Sequence, residues 1–377
     1  MPHVIDPRFR DRLVTLMKGA DISAKTLAAK VPMQRSYLSE IINGRKMPSE
    51  DMARKIDQAL NAGGQLANLV GVATLAGDRD HLADAAVFPH RISDTTLDAL
   101  SRILNAQRYL EDSVGAAAVI GPVLPQLDTI LAMARSARGT IRTRALYVAG
   151  QWAQYAGWLY TSLGEWDEAR VWNGRALEWA VEIADPDLTA TVLSYQAHVA
   201  WLNLHVGTTI GLARAALRDE RVYPGQRAYD ALQAARGYAY SGDIIEAERL
   251  LEAADRIIDQ VDVWDGETPP WQYYREPWLW ELERGLVHLY LNRWERGHAE
   301  RAVAHLCTGY HGMPEQMHAS DWAAEYRVHL ANAYVKADAP HTAREVLAGA
   351  RQVAEATESR RVLYRVVDLE RQLRDAI

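Results

Sequence analysis

Apolar residues recur at i, i+3, i+4 and i+7 along almost the whole of this chain. No segment shows a sustained period-2 alternation rich in Val, Ile and Thr. That periodicity gives each segment one apolar helical stripe and offers no pattern a sheet could use. Gly and Pro fall mostly between the periodic runs, as helix punctuation. The expectation is an all-α protein. Its 377 residues, 49% of them hydrophobic, allow a sizeable core. At roughly 100–200 residues per domain, that length fits two or three domains, or one domain plus a repeat array.

Residues 7–61 read as four short helices. Pro7 opens the first and Gly19 closes it; Ser23 caps the second, AKTLAAKV, and Pro32 follows as a breaker. The third covers QRSYLSEIIN and ends at Gly44. Pro48 and Ser49 open the fourth, SEDMARKIDQALN, which stops at Gly63 and Gly64. Residues 63–94 read as a short helix over 65–76 and a linker. From about residue 95 helix follows helix. Breaks are expected at Gly121-Pro122, Gly139, Gly164, Pro186, Gly207, Pro224, Gly242, Thr268-Pro269-Pro270, Asn292, Gly312 to Pro314, and Pro340. The division is therefore a head at 1–62, a connection at 63–94 and a body at 95–377.

Charge follows the same division. Residues 1–62 carry a net +4 and the remainder −11, for a total of −7. A basic head can approach a polyanion that the acidic body would repel. Ala and Arg are abundant and Lys scarce, as in GC-rich bacterial coding sequences. The single cysteine, Cys307, rules out a disulfide scaffold and any zinc site built on two cysteines, and fits a reducing compartment. The N-terminus lacks the apolar run of a signal peptide. No run of ~18 consecutive apolar residues is present, so no membrane span is expected. A cytoplasmic protein is expected.

The body repeats itself. In the run from Gln151, Gly157 stands three before Tyr160; a turn at Gly164 follows, then Ala169 and Ala176. The same frame fits Ala235, Tyr238, Gly242, Ala247 and Ala254, and again Ala331, Tyr334, Ala343 and Ala350. A looser copy has Gly285, Asn292, Gly297 and Ala304, and a degenerate one lies around Trp201, Gly207 and Ala213. Two antiparallel helices approach closely only where side chains are small, and an aromatic fills the gap between neighbouring hairpins. The pattern resembles the tetratricopeptide repeat over roughly 150–350. The fold expected is a small repressor-like helical domain followed by an α-solenoid of tetratricopeptide-like hairpins.

The segment LAAKVPMQRSYLSEIINGRKMPS resembles the second and third helices of the repressor-like (Xre or phage-repressor) helix-turn-helix family. It shows Leu27-Ala28, the turn Val31-Pro32-Met33, Ser39 and Ile41, then Asn43-Gly44-Arg45-Lys46 and Pro48-Ser49. It departs from the family at Ala24, often a phosphate-touching Gln, and at Pro32, commonly Gly. The resemblance implies a third helix lying in the major groove of double-stranded DNA. Leu38, Ile41 and Ile42 then face inward, leaving Gln34, Arg35, Ser36, Tyr37, Ser39 and Glu40 available. Arg35 suits a bidentate contact to guanine and Glu40 an acceptor role toward cytosine. Asn43, Arg45 and Lys46 suit phosphates. Tyr37 has two readings, stacking on a sugar or thymine methyl, or packing on the first helix. One head makes few contacts, so a homodimer on an inverted repeat is expected.

Stacked hairpins present a concave face lined by the first helix of each pair. The frame puts Gln151, Gln154, Trp158, Tyr229, Arg236, Tyr240, Glu325, Asn332 and Lys336 there, with His198 and His205 from the degenerate copy. Amides, cations and aromatics together suit a peptide or small-molecule effector. Head plus body resembles bacterial peptide-responsive regulators, and more broadly actinobacterial regulators of the same two parts. The expectation is a dimeric, sequence-specific transcriptional regulator. The alternative is an adaptor whose body grips a partner protein and whose head only localises it.

Aromatics are lopsided: 12 Trp and 17 Tyr against 2 Phe. Five of them crowd into residues 269–285 with three prolines. That stretch reads first as a long inter-repeat connection covered by its own aromatics, with a pocket wall as the alternative. Enzyme chemistry is not expected. There is no Walker-type loop and no His-Glu-x-x-His. His298, His305, His311 and His318 are spaced against a shared metal, and Cys307 reads as an inert thiol. Acidic residues read as solvated helix faces, with no pocket evident to raise a pKa. No cofactor or metal is expected.

Overall fold

The computed structural model describes residues 7–20, 22–31, 33, 35–43, 46, 48, 50–60, 62, 66, 87–88 and 90–375. The regular elements among these residues are all helices, with no strand among them. The chain divides into two compact units, Met1–Gln107 and Arg108–Ile377. The division falls inside a helix rather than at the expected 63–94 connection. The helix expected over 65–76 lies, apart from Leu66, outside the described residues.

The first unit holds α1 (Pro7–Gly19), α2 (Ala24–Lys30), α3 (Arg35–Ile42), α4 (Glu50–Ala59) and most of α5 (Asp94–Val114). The Ser23 hydroxyl caps α2 by accepting from the Thr26 amide at 3.1 Å, which satisfies one orphan donor of the first turn. Phe9, Leu13, Leu27, Val31, Leu38, Ile41, Ala53 and Ile56 are buried together as one small core.

The second unit runs from the end of α5 through α6 (Ala116–Ser136), α7 (Ile141–Leu163), α8 (Trp166–Glu182), α9 (Pro186–Leu202), α10 (Val206–Ala216), α11 (Pro224–Ser241) and α12 (Ile244–Ile258). It continues with α13 (Pro277–Leu291), α14 (His298–Gly312), α15 (Asp321–Lys336), α16 (Pro340–Ala356) and α17 (Arg360–Asp375). Helices pair in sequence, α7 with α8 through α15 with α16, and α17 closes the series. Gly164 and Gly242 end α7 and α11 at φ of 81° and 86°, the left-handed turn that lets the second helix fold back. Leu204 and Asp338 adopt the same region without glycine.

The repeat frame has a packing counterpart. Ala169, Ala176, Ala247, Ala254, Ala343 and Ala350 are completely buried. The looser copy is shifted from its expected register. Ala304 is exposed, and the small pair seven apart is Ala302 and Gly309, both buried. A Cβ on Gly309 would lie 2.5 Å from the Trp278 carbonyl oxygen, and one on Gly285 would lie 2.5 Å from Leu306 Cγ. These contacts are why neither position carries a side chain.

Three expectations change. Gly121-Pro122 is not a break, since α6 runs through Pro122 and Pro125. The carbonyls that lose their amide donors, those of Ala118 and Gly121, sit on the exposed face where water can serve them. The break near Gly207 falls instead at Leu204, φ 58°. And α6 is by length and composition long and apolar enough to cross a membrane, with 33% of its most apolar stretch buried. Polar interruptions hid that property from a search for an unbroken apolar run. In this structure Val119, Val123, Leu127 and Ile130 are buried in the second unit, where α6 packs on α7.

Candidate functional site

In the first unit α3 packs against α1 and α2 through Leu38 and Ile41. Ser36, Ser39 and Asn43 are exposed along one side of it, and the Asn43 amide donates to Ser39 Oγ at 3.3 Å. Tyr37 is half-buried against the core and carries the Lys46 ammonium 5.6 Å from its ring centre. Glu40 has a carboxylate oxygen 2.9 Å from Lys46 Nζ, with both side chains about half exposed. Arg10 Nε donates to the Ile42 carbonyl at 3.1 Å, serving an orphan acceptor at the end of α3. Gln34 and Arg45 lie outside the described residues, and only the backbone of Arg35 is described.

In the second unit the inner helices surround one cavity with about 1070 Å³ of empty space, part of it open to solvent. Gln154, Trp158, His198, Tyr229, Arg236 and Glu325 of the expected lining are at its wall. Gln151, His205, Tyr240, Asn332 and Lys336 are not. Gln151 is buried elsewhere, while His205 and Lys336 are exposed. Tyr240 is held between Trp201 and Tyr290, each 5.5 Å away centre to centre. The inward stripe of α11 reaches the cavity only as far as Arg236, and that of α15 only as far as His329. Beyond those points the helices run out to their turns.

The segment 269–285 corrects the sequence reading. It does connect two hairpins, but Trp271, Tyr273, Tyr274 and Arg275 line the cavity. Trp271 Nε1 donates to Thr191 at 2.9 Å. The Tyr274 and Tyr195 hydroxyls meet at 2.9 Å. The Arg275 guanidinium lies 3.7 Å from the Tyr229 ring centre and donates to Gln272 and Gln226 at 3.0 and 3.2 Å.

A second correction concerns the acids, several of which are buried rather than solvated. Glu111 and Asp112, at the end of α5, are 3% and 5% exposed. Glu111 Oε2 accepts from Trp158 Nε1 at 3.1 Å. Asp112 accepts from the Tyr273 hydroxyl at 2.6 Å and from Trp322 Nε1 at 3.3 Å. Burial pushes Asp112 up to about 7, against the pull of those two donors. Burial, with the neighbouring Asp112 and Asp321, carries Glu111 well above the carboxylate range. Nothing in the local sequence EDSVG marks these carboxyls. The signal lay in the unplaced tryptophans and tyrosines, whose N–H and O–H groups need buried acceptors.

Glu325 behaves in the opposite way. Burial would raise its pKa, but Arg361 and Arg365, both hydrogen-bonded to it, hold it well below the carboxylate range. Burial, with Arg236, pushes His198 down to about 3. Burial, then Arg365, keeps His329 neutral. Arg236 pairs with Glu283 at 3.3 Å and lies 4.7 Å over the Trp201 ring.

Away from the cavity, the histidines do meet, through a third one missed in the sequence. His288 of α13 stacks on both His298 and His305 of α14, 5.1 and 5.2 Å between centres. Glu248, Glu295 and His298 bring ligand atoms within 4.8 Å of one another. His311 and His318 instead bond backbone carbonyls. Cys307 Sγ lies 3.3 Å from the Tyr334 hydroxyl.

A family model described as a helix-turn-helix matches residues 15–63. The head is a helix-turn-helix domain. The match takes in α2, α3 and α4 whole, so the exposed side of α3 is the candidate reading surface. A domain of this kind supports a DNA-binding regulator in general. No curated protein matches the chain.

Proposed function

We propose that this chain is a dimeric, sequence-specific transcriptional regulator of bacterial cytoplasm, not an enzyme, and that its helical body senses a peptide or small-molecule effector. The helix-turn-helix match over residues 15–63 carries the DNA-binding half of the reading. Ser36, Ser39 and Asn43, all exposed on one side of α3, supply base and phosphate contacts together with Gln34, Arg35 and Arg45. Lys46 is a phosphate contact gated by Glu40. Such a surface is small, so two heads must share an inverted repeat to reach useful specificity.

The cavity supports the sensing half. It is concave, rich in Trp and Tyr, and carries converging charged and polar groups, as small-molecule sites do. Its walls come from the end of α5 and the first helices of five tetratricopeptide-like hairpins, so a ligand there touches most of the superhelix at once. An effector acts only through its differential affinity for the two forms of the body.

The test is duplex-DNA binding by full-length protein and by Arg35→Ala at about 0.15 M salt, where long-range phosphate attraction is screened. Arg35→Ala should lose about 1–3 kcal/mol of discrimination at one base position. Equal affinity and equal sequence preference in both proteins would contradict the reading of α3.

A further inference from the structure

The cavity is chemically polarised, and its two poles are not equivalent. The basic residues have anionic or aromatic company: Arg236 has Glu283 at 3.3 Å, Arg275 lies 3.7 Å over Tyr229, and Arg108 lies 5.9 Å from the ring centres of both Tyr155 and Trp271. Glu325 has two arginines. Glu111 and Asp112 differ. The hydrogen bonds described for them come from two indoles and a phenol, and no ion pair is described for either. Adjacent buried carboxyls of this kind hold protons unless a positive charge joins them.

A second observation points the same way. Glu111 is 3% exposed, lines the cavity, and its Oε1 is buried with no hydrogen-bond partner among the described residues. The rings of Tyr155, Trp158, Tyr273 and Trp322 line the same cavity, the last three hydrogen-bonded to Glu111 or Asp112. Trp158 and Tyr273 turn their polar edges to the carboxyls. Ring to ring, Trp158 also meets Tyr195 and His198, and Tyr273 meets Tyr109 and Tyr274. Carboxylates backed by electron-rich rings make a site for an organic cation, by charge pairing and cation–π attraction together.

We propose that the cavity binds an organic cation, a primary amine or guanidinium on an aromatic or apolar body, with its charge held by Glu111 and Asp112 among Tyr155, Trp158, Tyr273 and Trp322. This names the chemistry of the effector in the preceding reading and rests on that reading for its regulatory meaning. The remaining aromatic surface, from Tyr195 and Tyr229 to Trp271, takes the apolar body of the ligand.

Three probes of one shape test the charge: 2-phenylethylammonium, the neutral 2-phenylethanol and the anionic 3-phenylpropionate. Each is titrated by calorimetry into full-length protein, into Glu111→Gln/Asp112→Asn and into Trp158→Phe. The ammonium should bind about tenfold or more tighter than the alcohol, and the propionate weakest of the three. The double variant should erase the preference, and Trp158→Phe, which keeps both carboxyls, should weaken ammonium binding severalfold. Circular dichroism establishes that each variant is folded.

Equal binding of ammonium and alcohol, tighter binding of the propionate, or no heat from any probe would overturn the proposal. So would ammonium binding that survives the double substitution. Duplex-DNA binding is measured on the same wild-type preparation. Intact DNA binding without ammonium binding removes this inference alone. Ammonium binding without DNA binding removes the regulator reading alone.

Discussion

The Tyr273 hydroxyl donates to Asp112 Oδ2 at 2.6 Å across 161 residues of chain. Trp322 reaches the same carboxyl from α15 at 3.3 Å. One acid at the end of α5 thus joins a connecting segment and a late hairpin at the cavity wall. Farther round, Arg361 Nε of α17 donates to the Ser162 carbonyl of α7 at 3.4 Å, so the last helix meets the first hairpin. The series of hairpins therefore closes on itself, and its concave face becomes a cavity that is partly open to solvent.

The buried acids give stability a pH signature. Asp112 is raised to about 7 in the folded protein, against about 4 in an unfolded chain. Below pH 4 it is protonated in both states. Between pH 4 and 7 the folded state holds a proton the unfolded state has released, so its stabilising contribution is lost as pH rises. Asp112→Asn should flatten that fall, with the two melting curves converging at low pH and separating by a few kcal/mol near pH 8. Parallel curves would show that Asp112 is not held protonated by burial.

Glu325 has the opposite sign. Its folded pKa is depressed, so its contribution is present above the unfolded value and fades as pH falls through the folded one. Glu325→Gln leaves the part-buried Arg361 and Arg365 without their shared carboxylate, with Asp321 at 4.0 Å remaining to Arg361. That should cost about 3–5 kcal/mol at pH 7, read as a lower denaturant midpoint. A loss below about 1 kcal/mol would mean that these charges contribute no more than a surface ion pair.

Two glycines separate close packing from mere helix propensity. Gly309→Ala puts a Cβ 2.5 Å from the Trp278 carbonyl oxygen and should destabilise by at least about 1–3 kcal/mol. Gly174 of α8 has nothing within 4 Å of its would-be Cβ. Gly174→Ala should stabilise by about 0.5–1 kcal/mol, by lowering the entropy of the unfolded chain. Thermal melts of both variants decide it; shifts of the same sign would contradict the assigned helix register.

In the head, Glu40 holds Lys46 at 2.9 Å. Glu40→Gln should raise affinity for random duplex modestly and evenly across sequences. Lys46→Ala should lower the slope of log affinity against log salt by about 1. A change in base preference from either substitution would move that residue from phosphate contact to base reading.

Local regularities were legible in the sequence. Periodicity gave the helices, and Ala169, Ala176, Ala247 and Ala254 gave the hairpin frame because a helix contact permits only small side chains there. The Leu27 to Ser49 pattern gave the helix-turn-helix. What escaped was set at long range. Glu111 and Asp112 look like solvated acids until Trp158, Tyr273 and Trp322 arrive from 47, 161 and 210 residues away. The inward positions at Tyr240, Asn332 and Lys336 failed because helix periodicity names a face but not how far along it the cavity extends. The register of α14 slipped because the loose copy offered both Ala302 and Ala304, and only contact with α13 chooses between them.

The most direct test of the central claim is selection of bound fragments from random duplex DNA by purified full-length protein at about 0.15 M salt. A dimeric regulator should enrich an inverted repeat, its half-sites about one helical turn apart, that Arg35→Ala no longer selects. Recovery of unenriched sequence, with and without small-molecule cell extract, would contradict it.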